Sequence, residues 1–329
     1  LRDNREREIR RMRGYIPTKV VKTNPEFGVE LALTVPYAYW LHKQGALETV
    51  ITSKGMKPFY YFCDDVREEF SERTIDNAAA GLDELPNNWI HGINPLEEPA
   101  VLNYDEWTPP PYKEYYKNDE FNFDNKPLVF ISSKYNLEHG ETPLGFFDIQ
   151  CLYDMFTELT RKGYVVIYKR ATNREEFAID QNEMNSIHQG YENIRADVEG
   201  IGNISDRQLP QFMEDVWLLD DIPNISDYSY NEFQLKVMAN CDRFITVCGG
   251  NSILSSYFGG TVISYVHKGK ELRPNYFGEN SYFRKLSNAN ILPVYDVIGS
   301  VNKETYEHEV NQTGTNDYTK LLNTIKENF

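Results

Sequence analysis

Apolar positions along this chain fall into two alternating rhythms, short continuous runs and longer stretches spaced by three and four residues. Residues 18–23 read as a short strand, the loop Asn24-Pro25-Glu26-Phe27-Gly28 follows, and residues 29–45 carry apolar side chains at helical spacing. Residues 47–53 and 58–63 read as further strands. Strand–helix–strand order predicts a parallel sheet. The pattern then breaks up. Pro109, Pro110 and Pro111 cannot continue a helix or a central strand, so an interdomain linker is expected at 105–124.

The rhythm restarts at 128–132, a buried-strand candidate, followed by a helix over 146–162 with Gly163 placed as its left-handed stop. Strands at 164–168, 216–219, 244–247 and 262–266 alternate with helices at 231–241 and 251–258, and a last helix is expected at 317–328. The predicted architecture is α/β, two Rossmann-like domains facing a cleft. Residues 1–124 form the first, 125–302 the second, and 303–329 end in a helix that returns to the first.

The length of 329 residues fits that division, since domains run to about 100–200 residues. Charge narrows the partners. Acids outnumber bases 50 to 34 for a net charge of −16, the reverse of what a nucleic-acid backbone attracts. A single diphosphate remains compatible, because two or three local cations and a few backbone amides suffice to hold one. Cys63, Cys151, Cys241 and Cys248 form no C-x-x-C pair and read as free thiols of a reducing, cytoplasmic protein. No apolar run reaches the roughly 18 residues of a bilayer span. The basic stretch opening with Arg2 and closing with Arg13 has two readings, a solvated helix face or a contact with an anionic membrane face.

The segment Phe244-Ile245-Thr246-Val247-Cys248-Gly249-Gly250-Asn251-Ser252 is the most informative. A buried strand runs into two glycines and a helix start, where a ligand can approach the backbone closely and meet unpaired amides. That suits a diphosphate at the carboxyl end of a parallel strand; the alternative is a tight turn with Asn251 or Ser252 as a cap. It matches neither a Walker loop nor G-x-G-x-x-G. Lys134 follows the first strand of this half, and Lys169 and Arg170 the second, so all three are expected on the same rim as phosphate ligands. His267, after the next strand, is a candidate sugar or phosphate contact or a structural histidine. Asp220 and Asp221 are candidates for ribose or base contacts.

Taken together, Leu235-x-x-Met238-x-Asn240-Cys241-Asp242, the strand at 244–247, Gly249-Gly250 and Ser255-x-x-Phe258-Gly259 resemble the C-terminal half of GT-B glycosyltransferases, most of all the heptosyltransferase-like group. In that group a Gly-Asp pair follows the first strand and a proline lies six residues past the Asp. Here Glu30 stands six residues before Pro36, with Gly28 displaced by one and Val29 intervening. The resemblance implies Glu30 as the general base for an acceptor hydroxyl. Glu271 and Glu279 fit the E-x7-E spacing of retaining enzymes but lie after the following strand, so an inverting reaction is expected. There is no D-x-D of the metal-binding GT-A kind, which fits transfer without a metal or other cofactor.

The expectation is therefore a glycosyltransferase that moves a sugar from a nucleotide-sugar to a glycan acceptor, in surface glycan or polysaccharide biosynthesis. Two competitors remain. An epimerase of the same architecture needs no acceptor, and a non-catalytic glycan-binding module binds no nucleotide.

Overall fold

A computed structural model describes residues 18–73, 107–135, 146–171, 176–178, 194–266, 276–279, 281–295, 299–301, 308–310 and 317–329. The basic stretch from Arg2 to Arg13 and His267 lie outside these residues.

The first lobe is a parallel sheet in the order β1 (Lys19–Lys22), β2 (Leu47–Ser53), β3 (Val66–Phe70). Between β1 and β2 runs one continuous helix, α1, over 27–44. It opens as α-helix at Phe27–Val29, widens to a π turn at Glu30–Thr34, and continues as α-helix at Val35–Gln44. The π turn has a local cause. Pro36 lacks an N–H and its ring would crowd the carbonyl four residues back, so the helix relaxes just ahead of it, with Val35 N–H reaching five residues back to Glu30 O. The strand expected at 58–63 is instead a 3-10 turn, Lys57–Tyr60, with Pro58 in its opening positions and Phe59 and Tyr60 buried. The third strand comes later, at β3.

The expected linker is packed rather than loose. Its short helix α2 (Tyr112–Tyr116) donates from Tyr112 Oη to Phe59 O at 2.8 Å and from Tyr116 Oη to Pro58 O at 2.6 Å. On its other side Lys113 Nζ donates to Cys241 O at 2.8 Å, so this segment grips both lobes.

The second lobe contains a parallel sheet built from β4 (Leu128–Ser133), β5 (Val165–Arg170), β8 (Val216–Leu218), β9 (Arg243–Val247), β10 (Thr261–Val266) and β11 (Asn290–Tyr295). A small antiparallel hairpin, β6 (Arg195–Val198) and β7 (Gly202–Ser205), lies between β5 and β8. The order is β11-β10-β9-β4-β5-β8, all parallel. Chain direction across the sheet reverses between β4 and β9. That is the topological switch point of a doubly wound sheet, where a crevice opens beyond the carboxyl ends of the strands.

Strand periodicity sorts the second lobe into two cores. Leu128, Phe130, Val165, Ile167, Phe244, Val262 and Val266 face the first lobe and share one continuous core with α1 and the α2 segment. Val129, Ile131, Val166, Tyr168, Ile245, Ile263 and Tyr265 point the other way, against α3 (Ile149–Arg161) and the C-terminal helix α6 (Thr319–Asn328). Two further helices of this lobe are α4 (Tyr230–Ala239) and α5 (Gly250–Ser256). The closing helix does not return to the first lobe as expected. Its apolar stripe, Leu321 and Ile325, is buried in the outer core of the second lobe, and Lys162 Nζ caps its end at Lys326 O, 2.7 Å away. Among the described residues no helix is long and apolar enough to cross a membrane.

Candidate functional site

The site is assembled by the two residues that flank the switch point. At the end of β9 the chain turns through Gly249 at φ 141°, ψ −157°, a conformation open to glycine alone, and enters α5. A Cβ on Gly249 would lie 3.3 Å from Lys134 Nζ, which follows β4 across the switch point. The Lys134 ammonium is thus held directly against this turn.

The turn also touches the other lobe. A Cβ on Gly250 would come within 2.9 Å of Phe27 Cδ1 and 3.3 Å of Gly28 Cα and N. The start of α1 and the start of α5 therefore meet backbone to backbone, a contact that leaves no room for a side chain at Gly250. Tyr257 Oη, just past α5, adds a 2.8 Å hydrogen bond to Leu31 O and fixes the pair.

Beneath this contact runs a row of polar side chains in register across the sheet: Lys169, Ser132, Thr246 and Ser264. Each lies an even number of residues from the inner-core positions of its strand, so all four leave the inner face of the sheet, where α4 and α5 pack. Lys169 Nζ donates to Gln234 Oε1 at 2.7 Å and to Asn251 Oδ1 at 3.0 Å. It sits at the rim as a buried cation that already touches the turn. The Ser252 hydroxyl points inward to Thr246 Oγ1 at 2.5 Å and Ser264 Oγ at 3.1 Å. Its side chain anchors α5 to the sheet and does not open to the crevice, contrary to its expected role as a donor contact. Asn251 is half-buried on the rim.

Arg170 corrects a second expectation. Its position along the chain suggests a place beside Lys169 on the rim, but neighbours on a strand point to opposite faces. The Arg170 side chain is 2% exposed and pairs with Asp206 at 2.5 Å, and Tyr168 Oη donates to the same carboxylate oxygen at 2.7 Å. This trio lies on the outer face, away from the first lobe, and strand parity alone was enough to foresee it.

Glu30 is the third correction. Its side chain is 0% exposed inside the first lobe. Oε1 accepts a very short hydrogen bond from Thr52 and one from Tyr60 Oη at 2.9 Å, and Oε2 pairs with Arg73 Nη1 at 2.7 Å. Burial, and then the adjacent Glu30 carboxylate, push the Tyr60 phenol well above its ordinary range, so it remains a protonated donor. Three donors thus hold the carboxylate inside the first lobe, where the expectation had it facing the other lobe. Arg73 extends the network, donating also to Pro25 O at 2.7 Å and, across the lobes, to Ala178 O at 3.0 Å. Sequence reading missed Arg73 altogether, because a lone arginine after β3 carries no pattern.

What does reach the lobe contact is Glu26, the N-cap of α1. It is half-buried, and its Oε1 accepts from Gly28 N at 3.1 Å. The same Cβ built on Gly28 would lie 3.3 and 3.4 Å from the two Glu26 oxygens and 3.4 Å from Gly250 Cα. Asp220 lies after the edge strand β8, 3.8 Å from Arg207, and Asp221 beside it is exposed.

No protein-family model matches the chain. No curated protein matches it either. Among solved structures it is similar to the glycosyl transferase family 9 protein of Veillonella parvula DSM 2008, at 11% identity over 84% of this chain and 85% of that one, with a TM-score of 0.43. It is also similar to the E. coli ADP-heptose lps heptosyltransferase II, at 11% identity over 99% and 94% of the two chains with a TM-score of 0.36. A third is the dodecameric iron-containing heptosyltransferase TibC in complex with ADP-D-beta-D-heptose, at 11% identity over 76% of this chain and 60% of that one, TM-score 0.37.

Proposed function

We propose that the protein is a glycosyltransferase that takes a nucleotide-sugar as donor and a glycan hydroxyl as acceptor. The observation that carries this reading is the placement of the Gly249–Gly250 turn. It lies at the switch point of the second sheet, against Lys134 and near Lys169, and in contact with the start of α1 in the other lobe. The sequence resemblance to GT-B enzymes supports the same reading.

In this proposal Lys134, Lys169, Asn251 and the amides of the turn hold the diphosphate, and Asp220 and Asp221 stand where ribose or base would extend along the rim. The first lobe offers the acceptor. Its hydroxyl attacks the anomeric carbon from the face opposite the diphosphate, so configuration inverts, and the two lysines stabilise the leaving nucleoside diphosphate without a metal.

The test is a thermal-shift panel of UDP, GDP, ADP, dTDP and CDP, followed by nucleoside diphosphate release from the matching nucleotide-sugars. At a hundredfold excess over Kd a bound diphosphate should add about 2.7 kcal/mol of stability. Lys169→Met should weaken that shift. A panel with no shift for any nucleotide would refute the donor site.

A further inference from the structure

Glu30 is enclosed inside the first lobe, and a second carboxylate, Glu26, stands at the contact between the lobes. We infer that Glu26 takes the acceptor proton: its carboxylate, capping the start of α1 at the contact between Gly28 and Gly250, is the general base. The inference rests on the transferase reading and names a residue that the family pattern does not.

Three observations carry it. Position is the first. The Glu26 oxygens and Gly250 Cα all lie about the same point, the Cβ site of Gly28, so the carboxylate stands beside the donor-binding turn from the opposite lobe. The second is access, since Glu26 is half-buried where Glu30 is 0% exposed. The third is rigidity. Oε1 is tied to Gly28 N, Glu26 O accepts from Glu30 N at 3.0 Å, and the preceding Pro25 carbonyl is held by Arg73. Glu30 and Arg73 thereby act as positioning residues for the loop that presents Glu26.

The step balances without a further reactant. The acceptor O–H breaks and its proton passes to a Glu26 oxygen, while the freed electron pair forms the new bond to the anomeric carbon. The bond from that carbon to the diphosphate oxygen breaks, and its electron pair leaves with the nucleoside diphosphate beside Lys134 and Lys169. Glu26 then returns the proton to water.

The experiment compares wild type, Glu26→Gln and Glu26→Asp on the nucleotide-sugar whose diphosphate shifts the melting temperature. Nucleoside diphosphate release is followed with water and with a mixture of methyl glycosides as acceptors. A positioned general base contributes about 10²–10⁴-fold, so Glu26→Gln should lose at least about a hundredfold in rate and its acid-side pH dependence. The diphosphate-induced thermal shift should be unchanged, which shows the variant folded, and Glu26→Asp should recover part of the rate. Turnover of Glu26→Gln within threefold of an active wild type overturns the assignment of Glu26 and leaves the transferase reading standing. A wild type that binds the diphosphate yet releases none from any matching sugar overturns both.

Discussion

The pairing of Arg73 with Glu30 invites a double-mutant cycle. Their side chains are 6% and 0% exposed and meet at 2.7 Å, so each charge is stable only because the other is present. Removing one partner of a buried pair leaves an uncompensated charge and costs about 3–5 kcal/mol. Arg73→Met should reach the top of that range, because it also strips donors from Pro25 O and Ala178 O, each bond contributing about 1 kcal/mol. Glu30→Gln keeps an oxygen for Thr52 and Tyr60 but turns an amide towards the guanidinium, donor against donor. The double variant buries neither charge and should recover about 2–4 kcal/mol relative to the sum of the singles. At about 2.1 cal/mol/K per residue, 4 kcal/mol over 329 residues is a fall of about 6 °C in melting temperature. Calorimetry at pH 7 and chemical unfolding followed by circular dichroism give the four stabilities. Effects that add to within about 0.5 kcal/mol would show the two residues to be independent, and the buried-pair account would fail.

Two further outcomes follow from the same structure. Burial raises the phenols of Tyr60, Tyr112, Tyr168 and Tyr257 far above their usual value near 10, so at alkaline pH they ionise only when the chain unfolds. Stability should therefore be complete below pH 10 and fall above it, by up to about 1.4 kcal/mol per pH unit for each tyrosine; a flat unfolding profile to pH 11 would contradict it. Two glycines with positive φ separate backbone strain from collision. Gly163→Ala, at φ 87° with nothing within 4 Å, should cost about 1–2 kcal/mol, whereas Gly260→Ala, at φ 68° with its Cβ 2.2 Å from Asp242 O, should cost well over 3 kcal/mol or abolish folding. Equal melting temperatures for the two variants would refute the distinction.

Much of the fold was legible because buried parallel strands leave an unmistakable trace. Residues 128–132, 244–247 and 262–266 are short runs rich in Val, Ile and Phe, each carrying a single Ser or Thr, and they became β4, β9 and β10. The strand expected at 58–63 failed because Pro58 followed by aromatics satisfies the apolar criterion for a strand while its backbone suits a 3-10 turn. The helix at 319–328 was legible as a helix, but an amphipathic stripe does not say which core it covers. At the site, Lys134, Gly249 and Gly250 come together as expected, since strand ends on one rim follow from parallel order. Arg170 and Ser252 were misplaced for one reason: presence at the rim was inferred from position along the chain, without asking which face each side chain leaves from.

The displacement of Glu30 from the expected role has the same geometric root. The resemblance counts back six residues from Pro36. Here a π turn occupies Glu30–Thr34, and Val29 stands between the glycine and the acid. A π turn takes in one residue beyond the α-helical number, and one residue is about 100° of facing. An acid matched by counting from the proline across such a turn faces about one residue's rotation away from where a regular α-helix would put it. In this chain Glu30 turns inward to Thr52, Tyr60 and Arg73, while Gly28 stays at the lobe contact and Glu26 caps the helix beside it. The two carboxylates thus divide: Glu30 is buried against Arg73, which also holds the Pro25 carbonyl, and Glu26 is half-buried at the contact between the lobes.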